Sequence, residues 1–240
     1  MEKTLIIGAS SDIGRALLSS LNSSDTHVIA HYNSGRKKLD EIASAFTGTL
    51  SLVGADLSSE AETRRLINEI RNETISKVIF LSAPRVAGTR FKSLLWEQFE
   101  QQLSVQLRAS VMILKALLPS MAKRKQGKVV FMSTSYTHGV PPSYLAHYIS
   151  AKYALLGLAK ALAAEYATKN IQINSVAPSM VETGYLEALD DRIVEMNAES
   201  HPLKRNAVPD DIIPLIRFLT SSGSDYMNGV NIPVAGGQVF

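Results

Sequence analysis

Tyr148 and Lys152 stand four residues apart, the spacing that places two side chains on one face of a helix. Ser135 lies thirteen residues before the tyrosine, just past the apolar run Lys128–Met132. A phenol ordinarily titrates near 10, too high to exchange protons readily at neutral pH. An ammonium about 4 Å away, at an effective dielectric near 20, favours the phenolate by roughly 4 kcal/mol. At about 1.4 kcal/mol per pKa unit, Lys152 is expected to draw Tyr148 towards neutrality, with Ser135 holding a substrate oxygen beside the phenol. A bare Tyr-x-x-x-Lys is also common on solvated helices, so the weight falls on the elements around it.

Those elements alternate. Leu5-Ile6-Ile7 reads as a strand and runs directly into Gly8-Ala9-Ser10-Ser11-Asp12-Ile13-Gly14 and a helical pattern through Leu17, Leu18 and Leu21. A glycine-bearing turn from strand to helix N-terminus offers free N–H donors and close backbone approach to a phosphate, although a simple tight turn would look similar. Further strands are expected at His27–His31, Leu50–Val53, Lys77–Leu81, Lys128–Met132, Ile171–Val176 and Val230–Val234. Helices are expected at Lys38–Phe46, from Ser58 to about Asn72, Trp96–Lys123, around Tyr148 to Thr168, and Pro209–Thr220. This alternation predicts an α/β, doubly wound parallel sheet of Rossmann type with helices on both faces. Ligands of such sheets lie at the carboxyl ends of the strands. The glycine turn, Asp56, Ser82, Ser135 and Pro178 all follow predicted strands, so they should gather along one edge.

The 240 residues fit a single domain spanning 1–240, and no stretch reads as a linker. There is no cysteine, so disulfides and thiolate metal sites are excluded and a reducing, cytoplasmic setting is expected. No apolar run of spanning length and no signal-peptide pattern stands out, so no membrane association is expected. A net charge of +3 does not argue for nucleic acid, despite the local cluster Lys123-Arg124-Lys125 with Lys128. His27, His31, His138, His147 and His201 show no ligand spacing, so no metal is expected, and His147 reads as a pocket-wall or surface residue.

With these residues assembled, the chain resembles the short-chain dehydrogenase/reductase family over its whole length, most closely the 3-oxoacyl-[acyl-carrier-protein] reductases. The family's Thr-Gly-x-x-x-Gly-x-Gly turn corresponds to Ile7–Gly14, and its Asn-Ala-Gly segment to Ser82-Ala83-Pro84. Its catalytic serine, tyrosine and lysine correspond to Ser135, Tyr148 and Lys152, and its Asn-x-x-x-Pro-Gly segment to Asn174–Ser179. Asn228-Gly229 and Gly236-Gly237 match its C-terminal landmarks. Four positions depart: Asp12 and Pro84 replace glycines, Ser82 replaces asparagine, and Gln106 stands at the asparagine of the family's proton relay. Asp12 either caps the helix or opposes cofactor binding.

The resemblance implies hydride transfer between nicotinamide and a carbonyl or alcohol carbon, with Tyr148 as acid, Ser135 and Lys152 in support and Gln106 in the relay. It implies cofactor contacts at Gly8, Ser10, Ser11, Asp12, Ile13, Gly14, Asp56, Leu57, Ser82, Ala83, Tyr148, Lys152, Pro178, Val181 and Thr183. No carboxylate follows the second strand, so NADP(H) is expected, with Asn33 and Ser34 at the 2′-phosphate and Arg36 or Lys37 adding charge. A 3-oxoacyl thioester is the expected substrate, with a sugar, polyol, cyclic ketone or quinone as the alternative. Lys123-Arg124-Lys125-Lys128 and Lys169 could dock an acidic carrier protein. The family also implies a homo-oligomer, a dimer of dimers. Ser179–Leu203, with Met180, Tyr185, Leu186, Leu189 and Met196, reads as an apolar substrate lid. A binding protein without turnover is the competing class, opposed by the intact Ser135, Tyr148 and Lys152.

Overall fold

A computed structural model describes residues 2–239. Seven strands, β1 (Lys3–Ile7), β2 (His27–Tyr32), β3 (Thr49–Gly54), β4 (Ile75–Phe80), β5 (Gly127–Met132), β6 (Ile171–Pro178) and β7 (Asn231–Val234), form one sheet. Their order is β3-β2-β1-β4-β5-β6-β7, and every pairing is parallel. Among the described residues, eight α-helices accompany them: α1 (Asp12–Ser20), α2 (Arg36–Ala45), α3 (Glu60–Ile70), α4 (Trp96–Leu103), α5 (Ala109–Arg124), α6 (Ala146–Tyr166), α7 (Asp191–Ser200) and α8 (Pro209–Leu219).

The apolar strand runs follow from a sheet covered on both faces. Successive side chains alternate between the two cores. Leu5, Ile7, Val78, Phe80, Val129 and Phe131 join Leu66, Ile113, Leu117 and Leu155 from α3, α5 and α6. Ile6, Ile79, Val130 and Met132 join Leu17, Leu18, Leu39, Ile212 and Ile216 from α1, α2 and α8. The chain winds outward from β1 to β3 and returns to lay β4 against the other side of β1. Strand order therefore reverses between β1 and β4, where a crevice opens at the carboxyl ends.

Two elements differ from the sequence reading. The Trp96–Lys123 helix is broken by a π-helical turn at Ser104–Arg108, with Gln106 at its centre. The Ser179–Leu203 segment is more regular than its weak periodicity suggests. It holds a short 3₁₀ turn, Gly184–Ala188, and α7, whose N-cap Asp190 accepts from the Arg192 N–H. Trp96–Arg124 is long and apolar enough by composition to cross a bilayer. In the fold, however, α5 turns Ile113, Leu114, Leu117, Leu118 and Met121 into the core.

Candidate active site

The crevice is a cavity of about 590 Å³. Gly8, Ser10, Ser11, Asp12 and Ile13 line its middle, and Ser82, Ala83 and Pro84 face them from the end of β4. Asn33, Ser34, Lys38, Asp56 and Leu57 line one end, while Thr134, Tyr148, Lys152, Pro178, Val181 and Thr183 line the other. The strand-to-helix turn is tight: Gly8 has φ +86°, and a Cβ there would lie 2.8 Å from the Ser82 backbone nitrogen. Ser11 caps α1, its Oγ accepting from Gly14 N–H at 3.1 Å while donating to Gly8 O at 2.8 Å. Gly14 itself does not line the cavity. Its role is packing, since a Cβ would meet Ala9 O at 2.5 Å.

A buried histidine ties this turn to the end of the cavity lined by Asp56 and Leu57. Gly8 N–H donates to His31 Nδ1 at 3.2 Å, and His31 Nε2 lies 2.9 Å from Ala55 O. That pair of contacts requires the neutral ring with its proton on Nε2. Burial likewise holds the His31 pKa below the usual histidine value. No role for His31 follows from ligand spacing, although a histidine near the end of an apolar strand is a visible signal.

At the other end, Tyr148 and Lys152 meet as their spacing requires, with Nζ 5.4 Å from the phenol ring centroid. Lys152 is buried and donates to Met132 O at 2.8 Å. The expected depression of Tyr148 does not occur. Burial pushes Tyr148 up to about 12 and Lys152 down to about 7. Loss of solvation dominates both shifts, so the phenol stays protonated at neutral pH.

The hydroxyl beside this phenol belongs to Thr134, not Ser135. Thr134 lines the cavity with Tyr148, and its side chain acts to lower the phenol's pKa against the effect of burial. Ser135 is 1% exposed and lies outside the cavity lining, in a 3₁₀ turn. β5 ends at Met132, Ser133 N–H still donates to Val176 O, and the chain then turns, so counting back thirteen residues from Tyr148 stops one residue short of the cavity. A second phenol, Tyr136, also lines the site, and its burial raises its pKa.

Arg36 also lies outside the cavity. It opens α2, donates to Tyr32 Oη at 3.3 Å and faces Asp40, leaving Lys38, two residues further, as the cation at the Asn33–Ser34 end of the crevice. Lys37 does not line it either. Gln106 is buried behind the wall formed by Gln101 and Val105. Its Nε2 donates to Gln102 Oε1 at 2.6 Å, while its own Oε1 has no partner among the described residues. His147 is likewise buried, packed edge-on against Phe99, and is neither surface nor cavity wall.

From the lid segment, Met180, Tyr185, Leu186 and Leu189 line the cavity, whereas Met196 is 67% exposed and does not. Three polar contacts fasten its 3₁₀ turn down. Gly184 N–H donates to Asp12 Oδ2 at 2.7 Å, Tyr185 Oη to Pro84 O at 2.9 Å, and Arg85 to Glu187 at 2.8 Å. Asp12 is the first residue of α1 rather than its cap, which is Ser11.

A crevice at a topological switch point, a glycine turn in its middle and a half-buried tyrosine beside a buried lysine at one end define a dinucleotide-dependent oxidoreductase. The comparisons agree. A family model described as enoyl-(acyl carrier protein) reductase matches residues 8–238. Dehydrogenase/reductase SDR family member 4 of Rattus norvegicus is 32% identical over 98% of this chain and 86% of its own. A 3-oxoacyl (acyl-carrier-protein) reductase of Agrobacterium tumefaciens, solved with NADP bound, superposes with a TM-score of 0.88 at 25% identity, covering 98% of this chain and 93% of that one. Levodione reductase superposes with a TM-score of 0.90 at 23% identity, over 99% and 97% of the two chains. The chain belongs to the short-chain dehydrogenase/reductase family, whose members use nicotinamide cofactors.

Proposed function

We propose that this protein is an NADPH-dependent ketoreductase, and that its substrate is a 3-oxoacyl thioester. The observation that carries the reading is the Thr134–Tyr148–Lys152 group at the end of a crevice floored by the Gly8–Ile13 turn. Gly8, Ser10, Ser11 and Ile13 would hold the diphosphate, and Asp56 and Leu57 the adenine. Asn33, Ser34 and Lys38 would take the 2′-phosphate, with Ser82, Ala83, Pro178, Val181 and Thr183 along the nicotinamide half. The bound cofactor supplies the hydride.

Tyr148 then gives its proton to the developing alkoxide oxygen, and a phenol held near 12 enters that step loaded. Thr134 donates to the same oxygen and fixes it beside the phenol. The phenolate left behind is offset by Lys152, whose Nζ takes or holds a proton near neutrality. Val86, Leu145, Met180, Leu186 and Leu189 give the pocket an apolar wall suited to an acyl chain rather than a sugar. The NADP-bound 3-oxoacyl (acyl-carrier-protein) reductase relative supports both the cofactor and the substrate class.

The basic cluster bears on carrier docking in an unforeseen way. Lys123, Arg124, Lys125 and Lys128 lie at the start of β5, whereas the cavity lies beyond its end, about 20 Å along a six-residue strand. Arg124 is also committed to Ile75 O, and Lys128 to Asp225 at 2.6 Å. A carrier bound there would serve the cavity of a neighbouring subunit, so the carrier reading entails the expected homo-oligomer. Tyr153, Gly157, Ala161 and Ala164 leave α6 an exposed face for such pairing. A cytoplasmic location accords with this reading.

The test is NADPH oxidation across acyl thioesters, cyclic ketones, quinones and sugars, repeated with NADH. Preferential turnover of 3-oxoacyl thioesters with NADPH is expected. Equal or better kcat/KM with NADH would overturn the cofactor assignment, and turnover of sugars alone the substrate assignment.

A further inference from the structure

The contact between Asp12 and Gly184 joins residues 172 positions apart in sequence, at the centre of the cavity. Asp12 stands at the first turn of α1, where free N–H groups and the helix dipole favour an anion. Its Oδ2 accepts from Gly184 N–H at 2.7 Å, and its Oδ1 is paired with Arg15. Burial alone would raise its pKa, yet the Gly184 N–H, Arg15 and Lys38 together keep it below the ordinary carboxylate value. The crevice thus carries an ionised carboxylate, paired with Arg15, where a dinucleotide would place its diphosphate.

We propose that Asp12 occupies the diphosphate position of the crevice, so that a cofactor must compete with its carboxylate for this helix terminus and for the Gly184 N–H. Asp12 therefore sets cofactor affinity, and it links that affinity to the lid through Gly184. This inference rests on the dinucleotide-binding reading above.

Its sign separates it from a purely structural role. If Asp12 only held the lid down, removing it would loosen the pocket and weaken binding. As a competitor, its removal strengthens binding, and only for ligands that carry a diphosphate. NADPH, ADP and adenosine are titrated calorimetrically into the parent, Asp12→Asn and Asp12→Gly, alongside hydrogen exchange over residues 184–188. Asp12→Asn retains an acceptor for Gly184 N–H and loses only the charge. It should bind NADPH and ADP about tenfold tighter or more, the scale of a close like-charge contact, with adenosine unchanged. Asp12→Gly should show the same gain with faster exchange at 184–188 before ligand is added. Unchanged or weaker NADPH and ADP binding in Asp12→Asn, or an equal gain for adenosine, overturns the inference. Failure of the parent and both variants to bind NADPH would overturn the dinucleotide reading and this inference with it.

Discussion

Removing the Thr134 hydroxyl is the sharpest test of how the site is built. Thr134→Val keeps the shape and deletes one donor. Loss of a donor aimed at a developing oxyanion costs about 2.7–4 kcal/mol, or roughly 100- to 1000-fold in rate. The same hydroxyl contributes little to the fold, because its backbone contact with Tyr136 N–H is 3.5 Å long. Thr134→Val should therefore lose about two to three orders of magnitude in kcat/KM for ketone-dependent NADPH oxidation. Its thermal midpoint and NADPH affinity should stay close to the parent's, and Thr134→Ser should recover most of the rate. Ser135→Ala, one residue along but outside the cavity, should stay within about threefold, under roughly 1 kcal/mol. The reverse result, with Ser135→Ala crippled and Thr134→Val active, would refute the geometry.

Three further outcomes follow from the same structure. Gly14→Ala drives a Cβ to 2.5 Å from Ala9 O; overpacking of about 1–3 kcal/mol should lower the thermal midpoint by roughly 2–12 °C, and an unchanged midpoint would contradict the packing. Burial depresses the His31 pKa, and that of His147, below the usual 6.5, so the unfolded chain protonates first. Their stabilisation is complete above about pH 6.5 and is lost as pH falls through the folded values, so the midpoint should drop between pH 7 and 5, less steeply in His31→Gln; a flat profile would rule this out. Gln106→Asn should raise kcat several-fold without altering NADPH affinity, because the present amide is drawn to Gln102; a slower variant would mean that the Gln102–Gln106 pair is itself the working relay.

All seven strands and the edge that carries the site were legible in the sequence, because the buried inner strands, and to a lesser degree the half-exposed edge strands β3 and β7, leave short apolar runs, and turn residues follow each of them. Tyr148 and Lys152 were legible for a related reason: helical spacing fixes their relative position whatever the tertiary context. Ser135 was misplaced because a loop has no such period, and one residue changes which hydroxyl faces inward. Arg36 and Lys38 differ in the same way, since their direction depends on where α2 begins. The Tyr148 pKa was out of reach for a different reason. Spacing reveals the partner, whereas the burial that outweighs it is a property of the whole fold.

The placement of β1 between β2 and β4 has a consequence for synthesis. β1 ends at residue 7, and β4 is complete only at residue 80. At about 5–20 residues per second, that separation corresponds to roughly 4–15 s of translation. Throughout it, the growing chain can offer β1 only one partner. The strand that carries the glycine turn thus has an open apolar edge while it is a nascent chain, the kind of edge that invites pairing with other chains. From β4 onward each new strand adds beside the last, so the tyrosine–lysine half can assemble in the order it is made. A ribosome-bound fragment ending before β4 should therefore recruit holding chaperones more strongly than one that includes it.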